Sequence, residues 1–356
     1  MITMITMITM MTRTATRPAR VPETLAERYA GVVCDLDGVV RRGAQAVPYA
    51  VDRLLALRVP IVYATNNASL TPQDVANQLL GLGLRVGPTN VVTSSQAGAA
   101  YVASLFPPDS PVLAVGGPGV AAALAEAGLR PVDQAEPGVV AVLQGYGADV
   151  TAALLAEASY AIEDGATWVA TNRDATLPTH RGIAPGNGAL IGAVAVATGV
   201  QPSAATGKPE PPLYHLSVTR LGVPKTDVLA IGDRLDTDIL GAMNAGLDSL
   251  WVLTGVDDLV SFARSAGRPV PTYAARDLRA LDRPPMVPSV RGQTLRCGSV
   301  SLSVDWASGV LRVTDGDDPD ALVAATTAAL VHGRDVAGAS VDALVRLAET
   351  AAARLG

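Results

Sequence analysis

The chain has little cysteine, little charge and no long apolar run, and each scarcity excludes a class of protein. Two cysteines in 356 residues, Cys34 and Cys297, cannot build a disulfide framework, so a reducing cytoplasm is the expected location. The longest run of low polarity, 188–200, is shorter than the roughly 20 residues of a membrane span. Lysine and arginine total 27 against 33 acidic residues, which argues against a nucleic-acid-binding protein, whose footprint is a basic patch. We therefore expect neither a membrane nor a nucleic acid as partner.

Apolar residues, in contrast, are abundant at 49%, and only 17% of the residues are charged. A disordered protein has the opposite balance. The first eleven residues repeat Met-Ile-Thr with no preceding positive charge, unlike a signal peptide, and we expect residues 1–20 to be a disordered leader. The remaining length is enough for about two or three domains.

Short β-branched runs alternate with Ala- and Leu-rich stretches along most of the chain. Runs that are apolar at every position are typical of parallel strands covered on both faces. We predict strands at 31–34, 61–64, 112–115, 139–143, 167–170, 228–231 and 250–253. We predict helices at 50–57, 71–80, 119–127, 150–162, 189–197, 212–221 and 238–245. This order predicts a doubly wound α/β fold, in which ligands bind beyond the carboxyl ends of the strands.

The composition changes at 283–288, where three prolines predict a linker. Beyond it, period-two alternation predicts a strand at 298–306, and a second strand is expected at 309–314. Helices are expected at 319–331 and 341–355. We therefore predict a small α+β domain at 287–356, either a separate unit or an extension of the main fold.

Polar residues follow the predicted strands where ligands are expected. Asp35 and Asp37 come after the first strand, and alternation predicts that both point into the ligand crevice, where two acids repel unless a cation or a proton lies between them. The alternative is an Asp-Gly turn with an incidental second acid. Thr65, Asn66 and Asn67 end the second strand and can hold an anion, although helix capping explains the nearby Ser69 and Thr71.

Two later segments add a cation and two more acids. Lys208 lies in a Gly- and Pro-rich loop and is suited to bind phosphate, although taken alone a surface lysine is the simpler interpretation. Asp233 follows the strand at 228–231 and can bind a hard metal ion. Asp238, at the start of the next helix, can orient the Asp233 carboxylate without binding the metal ion itself.

In this order, the motifs of residues 30–255 resemble the haloacid dehalogenase (HAD) superfamily of phosphatases. The resemblance implies that Asp35 is the nucleophile that becomes an aspartyl-phosphate, and that Asp37 is the general acid and then the general base. It implies that the phosphoryl group is held by Thr65, Asn66, Asn67 and Lys208. It also implies Mg²⁺ bound by the Asp35 carboxylate, the Asp37 carbonyl and Asp233. Dehalogenases of the superfamily lack the second acid, so Asp37 favours a phosphatase.

About 140 residues separate Asn67 from Lys208, too many for a loop, so we expect an inserted α/β cap of type C2 at 107–204. The HAD core then comprises 21–106 and 205–283. The chain resembles the type IIA branch, which includes phosphoglycolate, glycerol-phosphate, pyridoxal phosphate and nucleotide phosphatases. The resemblance suggests that Asn172 and Asp174 order a substrate loop of the cap, although a simple Asx turn explains them equally well. His180 is a candidate substrate ligand, with a solvated loop histidine as the alternative.

The expected substrate is a small phosphomonoester. Pyridoxal phosphate phosphatases of vertebrate type look as if they carry histidine where this chain has Leu177, so we favour glycerol 3-phosphate or phosphoglycolate over pyridoxal phosphate and nucleotides. Gly117 and Gly119 open a helix after a strand, which is the outline of a dinucleotide site, but Pro118 interrupts the turn. A non-catalytic protein that binds phosphometabolites is a further alternative. A homodimer through the cap is possible for this branch.

Overall fold

The structure is a computed structural model that describes residues 24–179, 181–265 and 268–355. The predicted leader at 1–20 and the candidate ligand His180 lie outside the described residues. The strands are β1 Gly31–Cys34, β2 Arg41–Arg42, β3 Gln45–Ala46, β4 Ile61–Thr65, β5 Val91–Thr93, β6 Pro111–Val115, β7 Arg130–Val132, β8 Ala141–Gln144, β9 Thr167–Ala170, β10 Thr176–Thr179, β11 Gly182–Pro185, β12 Ala204–Ala205, β13 Val228–Gly232, β14 Asp248–Val252, β15 Tyr273–Ala275, β16 Ser289–Arg291, β17 Thr294–Cys297, β18 Val300–Asp305 and β19 Val310–Asp315.

The helices alternate with the strands through most of the chain, as the sequence predicts. They are α1 Ala50–Ala56, α2 Pro72–Gly81, α3 Ser94–Ala103, α4 Pro118–Glu126, α5 Ala152–Glu163, α6 Asn187–Thr198, α7 Pro211–Leu221, α8 Leu240–Ala245, α9 Leu259–Arg264, α10 Pro319–Asp335 and α11 Val341–Leu355. In the part of the chain that the structure describes, no helix combines the length and the apolar character needed to cross a membrane.

The first sheet has six parallel strands in the order β15-β14-β13-β1-β4-β5. Successive residues of β1 pack on opposite faces, with Val32 and Cys34 in one hydrophobic cluster and Val33 in another. This two-sided burial explains the unbroken apolar runs and confirms the doubly wound α/β core. Because β1 lies between β13 and β4, the carboxyl ends of these three strands meet at one edge.

The second sheet is inserted between β5 and β13 and has five parallel strands in the order β12-β9-β8-β6-β7. It too is covered on both faces, since Leu143 and Val142 of β8 belong to different clusters. An antiparallel hairpin, β10–β11, extends from it. The insertion therefore has the α/β architecture expected of the cap, while the boundaries 107–204 stay a prediction.

The glycines at the start of α4 serve packing. A Cβ on Gly119 would lie 2.4 Å from the carbonyl oxygen of Leu70 and 2.6 Å from that of Ala68, and the Gly119 N–H donates to the carbonyl of Ser69 at 3.0 Å. The backbone of 68–70 thus occupies the space that a pyrophosphate needs at a dinucleotide site. The motif allows the core to approach the inserted sheet closely.

The C-terminal segment is α+β, as predicted, but it contains four strands where the sequence predicted two. The antiparallel sheet has the order β16-β17-β18-β19, and α10 and α11 pack with it. The missed strands are three and four residues long with exposed arginines at Arg291 and Arg296, so their apolar signal is weak. The segment shares one hydrophobic cluster with the core, which includes Trp251, Phe262 and Leu330. It therefore extends the main fold.

Candidate active site

Three neighbouring strands of the first sheet end in polar side chains. Asp35 follows β1, Thr65 ends β4, and Asp233 follows β13. The Asp35 N–H donates to the carbonyl oxygen of Ile231 at 2.9 Å, which continues the β1–β13 pairing by one residue. The predicted convergence at the carboxyl edge is therefore present in the fold.

Three carboxylates and one ammonium form a buried cluster at this edge. Asp35, Asp233 and Asp238 each offer an oxygen within 4.8 Å of the others. The Lys208 Nζ contacts the Asp35 Oδ1, lies 2.7 Å from the Asp238 Oδ1, and donates to the Ala64 carbonyl at 3.3 Å. The Lys208 side chain is only 4% exposed, which rules out the surface-lysine interpretation.

The charges in this cluster shift one another's protonation. Burial and the neighbouring Asp238 raise the pKa of Asp35, against the opposing effect of Lys208. Burial and Asp238 also raise the pKa of Asp233 to about 7. Burial alone would lower the pKa of Lys208, but Asp238 and Asp35 raise it well above its ordinary value. Three acids around one cation leave an excess of negative charge that favours a further cation or a proton.

Asp233 has one carboxylate oxygen bound and one free of hydrogen bonds. The Val256 N–H donates to its Oδ2 at 2.6 Å, and the Trp251 Nε1–H donates to its backbone carbonyl at 3.1 Å. The Oδ1 is buried without a hydrogen-bond partner. A buried, unpartnered carboxylate oxygen beside two other acids fits a ligand for a hard divalent cation.

Asp238 lies within the acid cluster itself, whereas the sequence predicted only that it orients Asp233. It belongs to a π-helical turn, Leu235–Ile239, that precedes α8. Its Oδ2 accepts from the Arg234 N–H at 3.1 Å, and its Oδ1 pairs with Lys208. A Cβ on Gly232 would lie 2.1 Å from the Asp238 Cβ, so only glycine permits this approach.

Asp37 does not join the cluster. Its carboxylate is 63% exposed, and its Oδ1 pairs with the Arg41 Nε at 3.0 Å. β1 ends at Cys34, so strand alternation does not fix the direction of Asp37, and its carboxylate pairs with Arg41 while that of Asp35 pairs with Lys208. The chain turns instead at Gly38, whose N–H donates to the Arg41 carbonyl at 2.7 Å.

The polar residues after β4 are largely bonded to the protein itself. The Thr65 Oγ1 accepts from the Asn67 N–H at 3.1 Å, and the Asn67 Oδ1 accepts from the N–H and the hydroxyl of Ser69. The Asn66 Oδ1 accepts from the Lys208 N–H at 2.8 Å, and its Nδ2 donates to the Lys208 carbonyl at 2.9 Å. Asn66 therefore fixes the loop that carries Lys208.

The cap loop reaches the same asparagine. The Asn172 Nδ2 donates to the Asn66 carbonyl at 2.8 Å, and the Asp174 Oδ2 accepts from the Asn66 Nδ2 at 3.2 Å. The Asp174 N–H also donates to the Asn172 Oδ1 at 3.1 Å, so the Asx turn is present as well. Burial raises the pKa of Asp174. Both predicted cap residues thus lie beside the core site.

Four residues that support the site were not predicted from the sequence. Arg41 holds Asp37, and Thr254 and Val256 contact the segments around Asp37 and Asp233. Asn187, at the start of α6, donates through its Nδ2 to the Asn172 carbonyl at 2.8 Å and is almost fully buried. Of these four residues, only Asn187 has a signal in the sequence, because it is a polar residue in the largely apolar stretch 183–197.

Comparisons with known proteins agree with this geometry. One family model, described as haloacid dehalogenase-like hydrolase, matches residues 32–130, and a second, described as HAD-hydrolase-like, matches 205–281. The chain is 39% identical over 300 residues to the D-glycerol 3-phosphate phosphatase of Mycobacterium tuberculosis, covering 84% of this chain and 82% of that protein. It is 38% identical over 255 residues to the acid sugar phosphatase of Staphylococcus aureus, covering 71% of this chain and 96% of that protein. A solved structure of the glycerol phosphate phosphatase from M. tuberculosis in complex with magnesium has a TM-score of 0.77 at 39% identity, covering 87% of this chain and 92% of that chain.

Proposed function

Since the chain belongs to the haloacid dehalogenase-like hydrolases and is a phosphatase of that superfamily, we propose that it hydrolyses glycerol 3-phosphate with the aid of Mg²⁺. The observation that carries the proposal is the buried cluster of Asp35, Asp233 and Asp238 around Lys208. A phosphoryl group entering such a site meets a carboxylate nucleophile and a cation together.

Asp35 is the proposed nucleophile. A carboxylate oxygen attacks phosphorus, the bond to the leaving alkoxide breaks, and an aspartyl-phosphate forms. The Lys208 Nζ already contacts the Asp35 Oδ1, so the same ammonium can neutralise the oxygens of the transferring group. Water then attacks the aspartyl-phosphate, which releases inorganic phosphate and restores Asp35.

Asp37 is the proposed general acid and base. In the first step it gives a proton to the alkoxide, and in the second it takes a proton from the attacking water. Its exposed carboxylate can exchange protons with water, which supports this assignment. The role requires Asp37 to exchange its ion pair with Arg41 for the substrate oxygen.

Mg²⁺ fits the residues present. Asp35 and Asp233 would hold it with the Asp37 carbonyl, as the resemblance implies, and the unpartnered buried Oδ1 of Asp233 supports this set. The ion, when bound, would neutralise phosphoryl and carboxylate charge. Asp238, which pairs with Lys208, would position that lysine. Thr65, Asn66 and Asn67 would contribute to phosphate binding mainly by shaping the loop and orienting Lys208.

The substrate proposal rests on the glycerol-phosphate phosphatases among the relatives and on the cap loop. Asn172 and Asp174 present polar groups beside Asn66, which suits a small hydroxylated substrate. The sugar phosphatase relative makes a small sugar phosphate the second candidate.

Two further properties are proposed. The exposed face of α6 is uncharged, with Val196 89% exposed, which supports a homodimer through the cap. Cys34 and Cys297 are both free and buried, which supports a cytoplasmic location.

Phosphate release from a panel of phosphomonoesters tests the proposal. We expect Mg²⁺-dependent hydrolysis with the highest kcat/KM for glycerol 3-phosphate among glycerol 3-phosphate, sugar phosphates, phosphoglycolate, pyridoxal 5'-phosphate and nucleotides. Asp35→Asn should lower kcat by about 10³-fold or more, because the nucleophile is lost. Asp342→Asn, on the exposed start of α11, is the matched control and should retain activity. Equal activity of Asp35→Asn and wild type would refute the mechanism.

A further inference from the structure

A short segment after β14, residues 254–256, contacts both Asp233 and the turn that follows Asp37. It lies at the same carboxyl edge as Asp35 and Asp233, because β14 pairs in parallel with β13. None of its residues is an acid or a cation. Its contacts with the protein therefore determine what it can do.

The first contact fixes the carboxylate of Asp233. The Val256 N–H donates to the Asp233 Oδ2 at 2.6 Å. Gly255 packs directly on the same group, since a Cβ there would lie 1.8 Å from the Asp233 Oδ2 and 2.3 Å from its Cγ. Oδ2 is therefore held by the segment, Oδ1 stays buried without a hydrogen-bond partner, and Asp233 offers an oxygen within 4.8 Å of those of Asp35 and Asp238.

The second contact reaches the turn that follows Asp37. The Thr254 Oγ1–H donates to the Gly38 carbonyl at 2.7 Å, and the Thr254 carbonyl accepts from the Arg42 Nε at 2.8 Å. Gly38 itself lies against Asp233, because its Cβ would be 2.4 Å from the Asp233 Oδ2. Asp233 is thus held between Gly38 and Gly255, and Thr254 joins the two sides.

We propose that the 254–256 segment is a positioning element for the metal ion, which turns the Asp233 Oδ1 toward the cluster before the ion arrives. The inference rests on the proposed function, in which Asp233 is a Mg²⁺ ligand. Prior orientation matters because a free carboxylate would otherwise satisfy itself with nearby donors, and outer partners of metal ligands commonly change affinity by about 10- to 100-fold. If the segment only connected β14 to α9, substitutions in it would leave the Mg²⁺ affinity unchanged.

The Mg²⁺ affinity of Gly255→Ala tests the proposal. The dissociation constant is measured without substrate, from the rise of the thermal midpoint during a MgCl₂ titration of the metal-free full chain. We expect binding weaker by about 10-fold or more, since the new methyl group must displace the Asp233 carboxylate. Gly81→Ala, at the exposed end of α2 with no atom within 4 Å of its Cβ, is the matched control and should bind Mg²⁺ as the wild type does.

A pair of variants at Thr254 keeps the test independent of whether Gly255→Ala folds. Thr254→Val removes the hydrogen bond to Gly38 and should weaken Mg²⁺ binding, whereas Thr254→Ser keeps it and should restore the wild-type affinity. Wild-type Mg²⁺ affinity in Thr254→Val and in any folded Gly255→Ala overturns the proposal while leaving the proposed function intact. Failure of the wild type to bind Mg²⁺ would instead overturn the proposed function.

Discussion

Asp233→Asn should stabilise the metal-free fold at pH 8 while it removes a magnesium ligand. Asp233 is fully buried, and burial together with Asp238 raises the pKa of its carboxyl from 3.8 to about 7. A rise of the Asp233 pKa from 3.8 to about 7 corresponds to about 4 kcal/mol. Above pH 7, the ionised carboxylate of Asp233 lowers the free energy of unfolding by this amount.

The sign follows from proton binding. Below pH 3.8 the Asp233 carboxyl is protonated in the folded and in the unfolded protein, and this stability of about 4 kcal/mol is fully present. As pH rises through about 7 the folded protein must give up the proton it holds, and the stability is lost. Asparagine does not titrate, and its amide oxygen can still accept from the Val256 N–H. The free energy of unfolding of Asp233→Asn should therefore exceed that of the wild type by about 4 kcal/mol at pH 8 and by less than about 2 kcal/mol at pH 5.

Denaturant unfolding in EDTA at the two pH values measures this difference. Asp342→Asn, which removes an exposed acid of α11, serves as the control for the loss of one negative charge. Addition of MgCl₂ should then narrow the difference, because only the wild type gains stability from the bound ion, by about 2.7 kcal/mol at about 100 times the dissociation constant. The reasoning is refuted if Asp233→Asn is no more stable than the wild type at pH 8 in EDTA, or if its advantage is the same at pH 5.

Two further predictions concern the cation and the cap. Lys208→Met should lower kcat by about 10²-fold or more and the free energy of unfolding by about 3 kcal/mol, because Asp35 and Asp238 lose their buried partner; steady-state kinetics and denaturant unfolding measure both. Val196→Asp should convert the proposed dimer to a monomer by placing a charge on the apolar face of α6, measured by light scattering, and a monomeric wild type would contradict the dimer.

The sequence was sufficient for those parts of the site that depend on strand ends. Asp35, Thr65 and Asp233 each end an apolar run, and parallel strands carry their carboxyl ends to one edge of a sheet. The position of Asp37 could not be obtained in this way, because it lies beyond the end of β1, where the turn at Gly38 decides direction. Alternation is a property of the strand and gives no information past its last residue.

Contacts between distant segments were also beyond the sequence. Asn66 lies 142 positions from Lys208 and 106 from Asn172, and no local pattern indicates that one asparagine bonds both. The strands β16 and β17 were missed for a different reason, because their few apolar side chains are buried by β18, α10 and α11, which lie later in the chain. In both cases, tertiary packing supplies what the local pattern lacks.

The bonds of Asn66 connect the cap loop, proposed to recognise the substrate, to the loop that carries Lys208. Its side chain binds the backbone of Lys208 on one side and the carboxylate of Asp174 on the other, while its carbonyl accepts from Asn172. A movement of the cap loop that broke these bonds would release the loop that carries Lys208. Asn66, Asn172 and Asp174 therefore link the position of the cap loop to that of Lys208. Under the proposed roles, a substrate that seats the cap loop correctly would also keep the lysine in place, which would favour complete substrates over free phosphate.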